Sequence, residues 1–234
     1  NGTLDTLTLN SANVIAFNAS SAGTIGTVNV TGGTADFAAG STVAITTLNT
    51  AGATTLEGSG TIGTVNLTGG TLTRSSALAL GTLSVNGGTL AVSGAITAST
   101  AINLTGPLTV DNVLDGTAAV NILGGTVTLD AANLYDGGTF ISGGILEATD
   151  ADRLGSGTVT FNVTGSTLSL KNDTSTVYGN NIIHANNING AISVGSDGDD
   201  STPGVHELGS VYTSGGTTSM TVTGNEGYGL TLGA

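Results

Sequence analysis

The sequence predicts an all-β chain wound as a right-handed parallel β-helix, a β-solenoid of roughly 10–11 coils with about 18–20 residues in each. Three observations predict it: glycine turns at near-constant spacing, apolar/polar alternation between them, and a composition poorly suited to helices.

The turns set the period. Gly23–Thr34 recurs as Gly60–Thr71 at an offset of 37 residues, with Val30 against Leu67 as the sole difference. Turns, usually Gly-Gly or Gly with a small residue, begin at Gly32, Gly52, Gly69, Gly87, Gly106, Gly124, Gly143 and Gly165. Successive steps are 20, 17, 18, 19, 18, 19 and 22 residues. That suits one solenoid coil per repeat and is too short for a helical pair or a propeller blade.

The strands lie between the turns. In Thr27-Val28-Asn29-Val30-Thr31 the valines point inward and Thr27, Asn29 and Thr31 outward, the rhythm of a strand with one buried face. The same reading holds for Thr64–Thr68, Leu83–Asn86 and Val120–Ile122. No segment carries sustained helical periodicity, and each Gly inside a helix costs about 1 kcal/mol. Stacked coils place like side chains on like in ladders, and a coil adds about 4.8 Å, so roughly eleven coils predict a rod about 50 Å long.

Tyr135-Asp136-Gly137-Gly138-Thr139-Phe140-Ile141-Ser142-Gly143-Gly144-Ile145-Leu146-Glu147, followed by Leu154-Gly155-Ser156-Gly157-Thr158-Val159-Thr160-Phe161-Asn162, resembles the autotransporter-associated β-strand repeat. The close match spans about thirty residues. The stretch Met220–Leu232 looks like the tails of related surface proteins. The resemblance implies a β-helical passenger of a secreted bacterial surface protein. The pattern departs from that family in carrying no β-barrel translocator. The start at Asn1 rather than Met reads as a processed or excised segment.

Regular coils are expected over residues 1–170 and irregular, longer ones over 171–234. The second stretch opens on an asparagine-rich segment (Asn180, Asn181, Asn186, Asn187 and Asn189) and includes an acidic loop near 195–204.

Composition narrows the partners. Among 234 residues there are 39 Gly, 3% aromatic residues and 8% charged ones. Only Arg74, Arg153 and Lys171 are basic, against 16 acidic residues and a net charge of −13. Phosphate neutralisation needs clustered Lys and Arg, so nucleic acid is not a partner, and an anionic membrane surface is repelled. No apolar run approaches the roughly 18 residues of a spanning helix. With no cysteine there is neither a disulfide framework nor a thiolate metal site.

Asp197, Asp199 and Asp200 on a glycine-rich turn offer hard oxygen ligands that suit calcium, against the plainer reading of a solvated loop; no other cofactor is expected. Glu147, Asp150 and Asp152 beside Arg153 echo the carboxylates of glycan-cleaving β-helices, against the plainer reading of a surface Asp–Arg contact. His184 and His206 are expected to be exposed polar residues. The glycosylation-type triplets at Asn29, Asn66 and Asn103 recur every 37 residues and follow the repeat itself.

The expected function is non-enzymatic: an extracellular β-solenoid shaft of a bacterial surface layer, matrix or filament, whose copies stack end to end through exposed terminal coils. No helical cap is read at Asn1 or Ala234. The alternatives are an adhesin that meets a receptor or a host or matrix glycan, and a polysaccharide lyase or hydrolase on the same fold.

Overall fold

A computed structural model of the chain describes residues 2–10, 12–198 and 203–233. The described residues form a parallel β-solenoid of about 11 turns, as the sequence predicts. Packing divides the chain into two compact units, Asn1–Asn103 with Asn112–Asp115, and Leu104–Asp111 with Gly116–Ala234.

In the first unit, Gly2–Leu9, Ala22–Val30, Thr42–Thr50, Ile62–Leu67 and Leu78–Val85 stack side by side in one parallel sheet. Register places Leu7 on Val28, Leu48, Val65 and Leu83 in a single inward column. The last four are wholly shielded from solvent, each side chain contributing about 1.5–3 kcal/mol of burial. The inward position beside it runs Leu9, Val30, Thr50, Leu67, Val85. Thr50 is polar yet buried, and its hydroxyl is satisfied by the Thr54 hydroxyl at 2.9 Å and the Gly52 carbonyl at 3.1 Å.

The alternation slips once in each of these strands. Ile25 and Val28 are both buried although three residues apart, with Gly26 and Thr27 between them facing out. That bends the strand around a corner, where the ladder skips one pair (Gly26 with Thr46, for example) and resumes in register at Thr27 with Thr47. The return face is a second sheet of Val14–Phe17, Thr34–Phe37, Ala53–Leu56, Thr71–Arg74 and Thr89–Val92. Phe17 stacks on Phe37 with ring centres 4.5 Å apart. Close coil contact dictates the turn chemistry: Gly70 has φ +66° and a Cβ there would sit 2.1 Å from the Gly52 carbonyl oxygen.

In the second unit one sheet contains Ala119–Gly124, Thr139–Ile141, Val159–Phe161, Ile182–His184 and Val211–Thr213. Another contains Leu108–Val110, Thr126–Leu129, Ile145–Ala148, Thr167–Lys171, Asn189–Gly195 and Ser219–Gly224. A short pair, Val205–Leu208 with Gly229–Leu232, widens the last coils. The step between stacked residues grows from 20 (Thr139 to Val159) to 23 (Val159 to Ile182) and 29 (Ile182 to Val211).

The asparagines explain how long coils stay in register. The Asn181, Asn187 and Asn189 side-chain carbonyls accept the backbone N–H groups of Ser210, Thr217 and Ser219 in the next coil. Asn180 donates to the carbonyls of Gly155 and Gly157 in the preceding one. Where strands are short, side chains supply the bonds that a ladder otherwise makes.

The repeat motif at Tyr135 has a packing rationale. The Tyr135 ring is fully buried, and a Cβ on Gly155 would lie 3.0 Å from it. Gly155 therefore lies against the ring, and the Ser156 N–H donates to the Tyr135 carbonyl at 3.1 Å.

Candidate functional site

In the second unit Thr167–Lys171, Asn189–Gly195 and Ser219–Gly224 lie side by side. Strand alternation turns Glu147, Ser169, Ser193 and Thr223 outward in one column. Lys171 falls beside Gly195, where the missing side chain leaves room. The result is a groove of about 250 Å³ lined by Ser169, Lys171, Ser193, Gly195, Ser196, Asn225 and Glu226.

Its groups are held by one another. The Lys171 ammonium lies 2.7 Å from the Glu147 carboxylate. The Asn225 amide donates to the Ser193 hydroxyl at 2.9 Å, and the Ser196 hydroxyl meets the Glu226 carboxylate. Glu226 has φ +55°, a left-handed conformation that a non-glycine residue adopts only when its surroundings impose it. The groove presents one cation, hydroxyls and carboxylates, a set suited to hydrogen-bonding a polyhydroxylated ligand.

Asp197 stands at the edge of this region. Its backbone N–H and that of Gly198 both donate to the Asp173 carboxylate, at 3.0 and 2.9 Å. Partial burial, then the negative charges of Asp173, Asp130 and Glu147, raise the Asp197 pKa above the ordinary carboxylate value, with Lys171 opposing. Asp199 and Asp200, the other two candidate calcium ligands, lie outside the described residues. Among the described residues no group of three or more His, Asp or Glu is arranged to hold a metal ion.

The second carboxylate group is dispersed among separate tasks. Glu147 pairs with Lys171, and the Asp150 carboxylate accepts the Ala151 N–H at 2.7 Å to cap the short 3₁₀ helix Ala151–Leu154. Asp152 meets the Arg153 guanidinium at 2.6 Å, with Asp130 at 3.9 Å on its other side. The plain Asp–Arg contact is the arrangement found.

The histidines require a correction. The sequence places both at the surface, yet His184 is 1% exposed and His206 is fully buried. His184 stacks on Phe161 with centroids 4.9 Å apart, and burial lowers its pKa, the Ile188 backbone opposing. His206 lies between Tyr178 and Tyr228, at 5.7 and 5.3 Å, with Nε2 3.1 Å from the Gly195 carbonyl oxygen. Imidazole here is a flat core filler for wide coils that Val and Leu alone do not span.

Sequence reading missed Lys171, Ser193, Asn225 and Glu226 as neighbours. Asn225 and Ser193 are 32 residues apart, and only the widened coil brings them level. Comparison with protein-family models, curated proteins and solved structures gives no match.

Proposed function

We propose that the chain is a non-enzymatic structural element of a bacterial surface layer, matrix or filament, working outside the cell as a β-solenoid shaft. One observation carries this reading. Gly2–Leu9 in the first unit and Val211–Thr213 in the second each pair with a strand on one side only among the described residues. An open parallel edge is a template for a further strand, and a second copy of the chain supplies one. The sparse charge and the resemblance around Tyr135 support the same setting. Negative-stain electron microscopy over a range of concentrations tests it. Fibres of uniform width are expected, and isolated particles at every concentration would end the self-assembly reading.

A second reading, an adhesin that binds a receptor or glycan, is favoured by the groove at Lys171 and Glu226. Saturable glycan binding lost in Lys171→Ala and Glu226→Ala, with folding intact, would move the function there.

A further inference from the structure

We propose that the outward face of the first sheet in the first unit binds the surface of ice. Two outward columns carry the argument. One is Thr6, Thr27, Thr47, Thr64 and Thr82, and the other is Thr8, Asn29, Asn49, Asn66 and Ser84, all in register across five successive strands. None of the ten positions is charged.

The array repeats in two directions. Coils follow one another at about 4.8 Å, and the columns stand two residues apart along the strand, about 6.6–7 Å. Oxygen positions on prism faces of hexagonal ice repeat at comparable distances in two directions. A surface that fits them must be regular, uncharged and rigid, because charged groups keep disordered hydration shells of their own and mobile ones lose entropy on docking.

Rigidity is provided from both sides of the sheet. Beneath the columns Val28, Leu48, Val65 and Leu83 are fully buried and fix the backbone. Within the second column the Asn49 amide donates to Asn29 at 2.8 Å and the Asn66 amide to Asn49 at 2.7 Å, so these side chains are set before any ligand arrives. Ladders of this kind are also what keep a sheet flat against its natural twist. Threonine has a restricted χ1, so a stacked column presents its hydroxyls and methyls alike in every coil. The hydroxyl can occupy a lattice oxygen position while the methyl fills the space between lattice rows.

Other partners fit the face less well. It has no aromatic ring to stack on a sugar and no charge to attract an ionic polymer. The groove at Lys171 belongs to the other unit and plays no part.

The test is partition of the full chain into slowly growing ice, with an ordinary soluble protein as reference. Enrichment of wild type is expected, together with slowed recrystallisation. Thr47→Lys and Thr64→Tyr, which stand proud of the plane at its centre, are expected to lose the enrichment, while Thr73→Lys on the second sheet keeps it. Thermal unfolding verifies that each variant is folded, and tyrosine at position 64 remains a good strand former if lysine at 47 is not tolerated. Exclusion of wild type from ice overturns the proposal. So does retention of both face variants at the wild-type level. Exclusion from ice together with pelleting on insoluble cellulose, or face-dependent dimers in solution, would overturn it in favour of a glycan lattice or a second copy.

Discussion

The hydroxyls of Tyr135 and Thr139 meet at 2.7 Å inside the core, and both side chains are completely shielded from solvent. Each is the other's hydrogen-bond partner, which explains why tyrosine and threonine stand four residues apart around the Gly137-Gly138 step. Burial pushes the Tyr135 phenol above its ordinary pKa, with the Thr139 bond opposing. Thr139→Val strands a buried phenol hydroxyl and is expected to cost about 1–3 kcal/mol. Adding Tyr135→Phe to that variant should recover part of the loss. Urea denaturation of both single variants and the double variant measures this, and simple additivity of the two costs would contradict the pairing.

Asn49 is expected to be the most sensitive rung of its column. It donates to Asn29 and accepts from Asn66, so Asn49→Ala removes two part-buried bonds, each worth about 0.5–1.5 kcal/mol. Asn29→Ala loses the 2.8 Å bond from Asn49 and only a long 3.5 Å contact to Thr8, and should cost less. Comparison of denaturation midpoints decides the order.

The two glycines of one turn should respond differently to alanine. At Gly70 a methyl group meets a carbonyl oxygen at 2.1 Å and φ is positive, whereas at Gly69 the nearest atom is 3.4 Å away, an ordinary contact. Gly70→Ala is expected to destabilise by more than the roughly 1–2 kcal/mol of a left-handed conformation alone. Gly69→Ala should be close to neutral. Equal melting temperatures for the two would refute this account of the turn.

Acid should loosen the wide coils. The His184 pKa is lowered in the folded chain from an ordinary value of 6.5, so below that pH the unfolded chain binds more protons than the folded one. Stability is therefore full above about pH 7 and falls as pH drops through 6.5, levelling off below the folded-state pKa. Asp197 acts oppositely: its raised pKa means its ionised form is disfavoured by folding, so Asp197→Asn should stabilise at neutral pH. Unfolding followed at pH 7 and pH 5 checks both signs, and His184→Phe should flatten the histidine part of the slope.

Much of this architecture is legible in the residues themselves. The columns at Val28 and Val30 follow from alternation, and the corner glycines from the 17- to 22-residue spacing of the turns. Beyond residue 170 the coil step rises to 29 and no short spacing repeats. That is why His206 was not readable as a core residue: its partners Tyr178 and Tyr228 are 28 and 22 residues away. The groove was hidden for the same reason. Asp197 could be singled out by composition, but its contact with Asp173 depends on how far the widened coil travels before it returns.

Widened coils also set how the chain would yield to a pull. A coil stripped from an edge under tension releases a contour set by the number of residues it holds. At about 3.3–3.6 Å per residue, a coil of about 20 residues pays out roughly 70 Å and one of about 30 residues roughly 100 Å. Tension applied at the Val211–Thr213 side therefore meets long, energy-absorbing extensions first, stitched by asparagine side chains. Tension at the Gly2–Leu9 side meets shorter steps held by continuous strands.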